Sequence, residues 1–66
     1  MKSEDYIKLD SFLKLMGVAQ TGGEAKIFIT EGLVKVNGEI ELRRGRKLYN
    51  NDKVEFEGEI FVVGEK

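Results

Sequence analysis

The dipeptide Asn37-Gly38 limits what this chain can become more than any other feature of it. It lies inside "LVKVNGEIEL", where Val34 and Val36 face one way and Lys35 the other, the alternation of a half-buried strand. Asn and Gly are the residues that tolerate two successive positive φ angles, and a two-residue type I′ turn requires both. The stretch therefore predicts a tight antiparallel hairpin. In a chain of 66 residues, that leaves room for only a few more short elements.

A second hairpin is predicted in "KVEFEGEIFVV". Val54 and Phe56 alternate with Lys53, Glu55 and Glu57, Gly58 sits at the bend, and Ile60 and Val62 return on the inner side. "YNND", between Leu48 and Lys53, reads as a turn because Asn and Asp accept left-handed backbone and bond their own main chain.

Upstream of Gly32 the period is different. Leu9, Phe12, Leu13 and Met16 recur at helical spacing and predict a helix over about 9–16, stopped by Gly17 with Val18 folding back on the last turn. Thr21 stands three residues ahead of Glu24, a capping box in which the hydroxyl takes the third amide and the carboxylate returns to the cap amide. Ala25, Phe28 and Ile29 continue that second helix, and Gly32 stops it. Tyr6 and Ile7 read as extended.

The order of elements gives an α+β fold, two short N-terminal helices on one face of a small antiparallel β-sheet. The predicted core is Leu9, Phe12, Leu13, Met16, Val18, Ala25, Phe28, Ile29, Leu33, Val34, Val36, Leu48, Val54, Phe56, Ile60 and Val62. So short a chain buries only about 60% of its unfolded surface, so residues 1–66 make one domain with a thin margin of stability.

The residue types also exclude functions. There is no cysteine and no histidine, so disulfides and the usual zinc-ligand sets are ruled out. Asp10, Glu24, Glu31 and Asp52 would need a paired acid and base or a metal, and a domain of this size has no room for a walled pocket. No catalytic residue, metal or cofactor is expected. Apolar runs are only a few residues long and the N-terminus carries no apolar leader, so no membrane partner is expected and the compartment is the cytoplasm.

The formal net charge is -1, yet Arg43, Arg44, Arg46 and Lys47 crowd into "RRGRK". Such a run is either a solvated loop or a surface for an anion. Arginine suits the second role because its planar fork bonds two phosphate oxygens at once and stacks on exposed bases. A local field can outweigh the summed charge if Glu4, Asp5, Glu55, Glu57 and Glu59 lie on a face turned away.

The sequence of parts resembles the S-four (α-L motif) RNA-binding domain family. The residues that carry the resemblance are Leu9, Phe12, Leu13 and Lys14 in helix one, Glu24 and Ala25 in helix two, and Gly32, Val34, Val36, Asn37 and Gly38 at the passage into the hairpin. It spans about residues 7–63, and "TGGEAK" followed by "VNGEIELRRGRKLY" is similar to the stand-alone bacterial YaaA/YbcJ-like subgroup. The resemblance implies two helices against a small, strongly bent antiparallel sheet and an RNA surface made from the helices and the following hairpin. Many members carry Ser-Arg near the start of helix two, where this chain has Thr21-Gly22-Gly23. The weight of recognition then moves to Lys26, Lys35 and the arginine loop.

The candidate RNA-binding residues are Lys8, Lys14, Thr21, Gly22, Gly23, Lys26, Lys35, Arg43, Arg44, Arg46, Lys47 and Tyr49. The amides of Thr21-Gly22-Gly23 either dock a phosphate oxygen or form an ordinary capped helix start. Tyr49 either stacks on an unpaired base or packs on the sheet edge. The expected partner is structured RNA, ribosomal RNA or an assembling ribosomal particle, bound by a monomer. The alternative is an adaptor whose cationic rim engages an acidic protein surface.

Overall fold

The computed structural model describes residues 6–64. Ile7–Lys8 (β1) leads directly into helix Leu9–Leu15 (α1), and Gly22–Thr30 (α2) follows. Five short strands complete the chain: Val34–Val36 (β2), Glu39–Ile40 (β3), Lys47–Leu48 (β4), Lys53–Phe56 (β5) and Glu59–Val62 (β6). The expected single sheet is divided in two. The larger runs β3-β2-β5-β6, all antiparallel, and β1 pairs with β4 apart from it.

The two helices end in the same way. Gly17 and Gly32 stand at φ 79 and 78, where only glycine is free of a Cβ penalty. In α1 the Gly17 amide donates to the Lys14 carbonyl and Val18 to Leu13; in α2 Gly32 donates to Ile29 and Leu33 to Phe28. Both pairs make the Schellman pattern, which satisfies carbonyls that a bare helix end would leave unbonded. At the start of α2, Thr21 Oγ1 accepts the Glu24 amide at 3.1 Å, as the capping box predicts. The Glu24 carboxylate, however, reaches past the cap and accepts the Gln20 amide at 2.7 Å.

Asn37 and Gly38 adopt φ 53 and 88 and turn β2 into β3. Asn37 also fastens that hairpin to its neighbour. Its Oδ1 accepts the Lys53 amide and its Nδ2 donates to Asp52 Oδ1, while Asp52 Oδ2 accepts the Tyr49 amide. The "YNND" turn is thus held by side chains at both ends.

The buried core comprises Leu9, Phe12, Leu13, Ala19, Ala25, Ile29, Val34, Val36, Leu48, Val54 and Val63. Val18, Phe28 and Phe56 are half-buried against it, with the Phe28 and Phe56 rings 4.9 Å apart. Three predicted core residues are exposed instead: Met16, Leu33 and Ile60. Met16 fails because α1 ends one residue earlier; the chain turns back and Ala19, bonded to Leu13, is buried in its place. Leu33 precedes Val34 in an alternating segment and so points away from the core face. Ile60 is an error of parity. The turn Glu57-Gly58 has two residues, so Phe56 pairs with Glu59 and Val54 with Phe61. Cross-strand partners share a face. Phe61 and Val63 therefore pack inward, Ile60 stands opposite Glu55 on the outer face, and Val62 is only half-buried.

Candidate nucleic-acid interface

The same parity places a carboxylate on the core side of the first hairpin. Val36 pairs with Glu39, and the Glu41 amide donates to the Val34 carbonyl at 3.0 Å, so Glu41 lies on the face of Val34 and is only 8% exposed. A carboxylate there needs partners, and the arginine loop supplies them. Glu41 Oε2 accepts the Arg43 amide at 3.1 Å and Arg43 Nε at 3.0 Å; Oε1 accepts Arg46 Nη1 at 2.7 Å. The Arg43 side-chain bond, aided by Arg46 and the Arg43 amide, holds the Glu41 carboxyl at about 2, against the opposing effect of burial.

Arg44 points elsewhere. Its Nε donates to Asp10 Oδ2 at 2.9 Å, on the first turn of α1, and its Nη2 lies 3.4 Å from where a Cβ on Gly22 would sit. The guanidinium therefore lies against the start of α2, at ordinary van der Waals distance from that position. The backbone of the loop completes the attachment, because the Leu9 and Asp10 amides donate to the carbonyls of Arg46 and Arg44 at 2.9 and 3.1 Å. Lys8 gives α1 no side-chain cap, and the loop takes over that function. At α2 the Gly22 and Gly23 amides donate to no acceptor among the described residues.

Arg44 thus lies between two helix starts. Lys14 is one turn along α1 from Asp10, and Lys26 is one turn along α2 from Gly22, so each shares the helix face that Arg44 touches. Lys8 and Lys47 are direct partners in the β1-β4 pair. Lys47 Nζ stands 4.9 Å above the Tyr6 ring, whose centroid is 6.2 Å from that of Tyr49. Tyr49 remains 40% exposed and, with Arg43, Gly45, Arg46 and Lys47, lines an open recess of about 550 Å³.

Of the candidate residues, Thr21, Gly22, Gly23 and Arg44 lie at the helix starts, Lys14 stands in the last turn of α1 and Lys26 one turn into α2, and Arg43, Arg46, Lys47 and Tyr49 surround the recess, with Lys8 beside Lys47. Lys35 belongs to neither group. It stands on the outer face of β2, directly opposite Glu55 and Ile40. The expected separation of charges is incomplete. Glu55 faces outward beside Lys35, and Glu4 and Asp5 lie outside the described residues, but Glu41 and Asp10 sit among the arginines. Four cations against two carboxylates leave a net positive excess, and the carboxylates fix where the arginines point. Glu41 was legible from hairpin parity; Asp10, 34 residues from Arg44, left no signal in the sequence.

Asp10, Glu24 and Asp52 are each engaged in bonds that shape the backbone or hold a neighbour. No helix of the described residues is long and apolar enough to cross a membrane.

Comparison with known proteins agrees with this architecture. Residues 2–64 match the model of the S4 domain. The chain is 56% identical over 54 residues to the "Probable ribosome maturation protein RlbA" of Bacillus subtilis, covering 82% of this chain and 76% of that protein. It is 42% identical over 53 residues to the "Putative RNA-binding protein YbcJ" of Escherichia coli K12, covering 80% and 76%. A match over nearly the whole chain, with relatives this similar, shows that the protein belongs to the S4 domain family.

Proposed function

We propose that this protein is a non-catalytic RNA-binding module that acts as a cytoplasmic monomer on structured RNA, either ribosomal RNA or an assembling ribosomal particle. The observation that carries the reading is the position of Arg44, braced by Asp10 against the start of α2, with Lys14 and Lys26 one turn away on the adjoining faces. A phosphate beside Arg44 would meet a guanidinium and the free amides of Gly22 and Gly23, with the Lys14 and Lys26 charges further along the two helices. The names of the Bacillus and Escherichia relatives, one for ribosome maturation and one for RNA binding, support the same reading.

Arg44 and Arg46 also hold the fold together, so reversing their charge would confuse binding with folding. Lys14 and Lys26 are cleaner targets, since neither has an ion-pair partner among the described residues. The test is binding of a labelled ribosomal RNA hairpin across a salt series. About four neutralised phosphates give a log-log slope near -3, roughly a 50-fold loss of affinity from 50 to 200 mM salt. The pair Lys14→Glu and Lys26→Glu should make that slope shallower by about two. A flat salt response would refute the proposal. Equal binding to polyglutamate would instead favour an adaptor for acidic protein surfaces.

A further inference from the structure

The recess beside the arginine loop has an aromatic wall. Arg43, Arg46 and Lys47 supply cations around it and Tyr49 supplies an exposed ring. Glu41 binds Arg43 through Nε and Arg46 through Nη1, which leaves both terminal nitrogens of Arg43 and Nη2 of Arg46 directed by a fixed anchor but uncommitted to it. Such a fork matches two oxygens of one phosphate. The space, about 550 Å³, is open to solvent, so a group on an extended chain can enter it from the side.

Gly45 is the second observation. Its φ is not positive, and a Cβ built on it would meet no atom within 4 Å. Neither backbone conformation nor packing within the protein calls for glycine here. Its effect is to leave the edge of the recess uncovered, so that the backbone can be approached closely from outside.

We infer that this recess receives one unpaired nucleotide of an RNA chain, its base against the Tyr49 ring and its phosphate on the Arg43 fork, with Arg46 and Lys47 alongside. The inference rests on the RNA-binding reading and specifies what is bound. A paired A-form helix keeps its base faces stacked and offers only its backbone and groove edges, which would leave the ring of Tyr49 unused. An unpaired nucleotide presents both a π-face and a phosphate, and each has a counterpart in the recess.

The experiment compares two RNA hairpins that differ by one bulged nucleotide, replaced by 2-aminopurine for a fluorescence readout. The bulged hairpin should bind roughly 5- to 150-fold more tightly than its fully paired counterpart, the range expected for one base stacked on an aromatic ring. Its fluorescence should fall on binding. Tyr49→Ala and Gly45→Val should each abolish that preference, and Tyr49→Phe should keep it. Gly45→Val fills open space, so its melting temperature should match that of the parent and serves as the fold control.

Equal affinity of the parent protein for the two hairpins would overturn the inference and leave RNA binding standing. Binding of neither hairpin would overturn the RNA-binding reading itself. Displacement of the bulged hairpin by adenosine monophosphate as efficiently as by unlabelled RNA would overturn the assignment to a nucleotide within a chain.

Discussion

Replacing Glu41 with Gln keeps the shape of the side chain and removes the charge that gathers Arg43 and Arg46. In the folded protein the carboxyl is held at about 2 against an ordinary 4.5, and the full conversion of that gap is about 3 kcal/mol. The side chain of Arg43 is 76% exposed, so water screens much of the interaction and about 1 to 2 kcal/mol is the expected net effect. For a domain of this size, that lowers the melting temperature of Glu41→Gln by roughly 5 to 15 °C at pH 7. The folded-state value lies below the unfolded one. The contribution is therefore complete above about pH 4.5 and is lost as the pH falls through about 2. Thermal melts of both proteins, followed by circular dichroism from pH 7 to pH 2.5, should show the gap between them closing over the acid half of the range. Other carboxylates titrate in both proteins and cancel in the difference. A gap that stays constant across the range, or no gap at pH 7, would refute the reasoning about Glu41.

Two further substitutions probe the fold. Leu13 is fully buried in the core, so Leu13→Ala should cost about 2 to 5 kcal/mol. The whole stability of a chain this size is roughly 3 to 10 kcal/mol, so much of the variant should be unfolded at 37 °C by amide proton dispersion, and a dispersed native spectrum would contradict the core assignment. Glu57 holds φ 52 at a turn position that Asn37, at φ 53, fills in the other hairpin. Glu57→Asn should therefore stabilise the protein by about 0.5 to 1 kcal/mol in urea titration, and a loss of stability would show that Glu57 makes a contact that offsets its backbone strain.

Most of the fold was legible because its punctuation is local. Gly17, Gly32 and the Thr21-Glu24 pair mark helix ends within a few residues of the bonds they make, and Asn37-Gly38 sets its own turn. What failed depends on register. Alternation suggested Ile60 and Val62 for the core, but a two-residue turn hands the inner face to residues of opposite parity, hence Phe61 and Val63. The candidate site divides along the same line. A cluster of cations is visible in "RRGRK", but its orientation is set by Glu41, whose place follows from hairpin pairing, and by Asp10, which only the folded chain brings near. Alternation already turns Lys35 away from Val34 and Val36, but only strand pairing shows that this outer face, opposite Glu55, is apart from the arginine loop.

The attachment of the arginine loop to the start of α1 has a dynamic consequence. The Leu9 and Asp10 amides are protected by carbonyls from residues 46 and 44, not by the helix they belong to. They can exchange with deuterium only when the loop lifts away or the helix start detaches. Two protons near the beginning of the chain thus act as a clock for motion nearly forty residues later, and their exchange rates time the excursions of the loop itself.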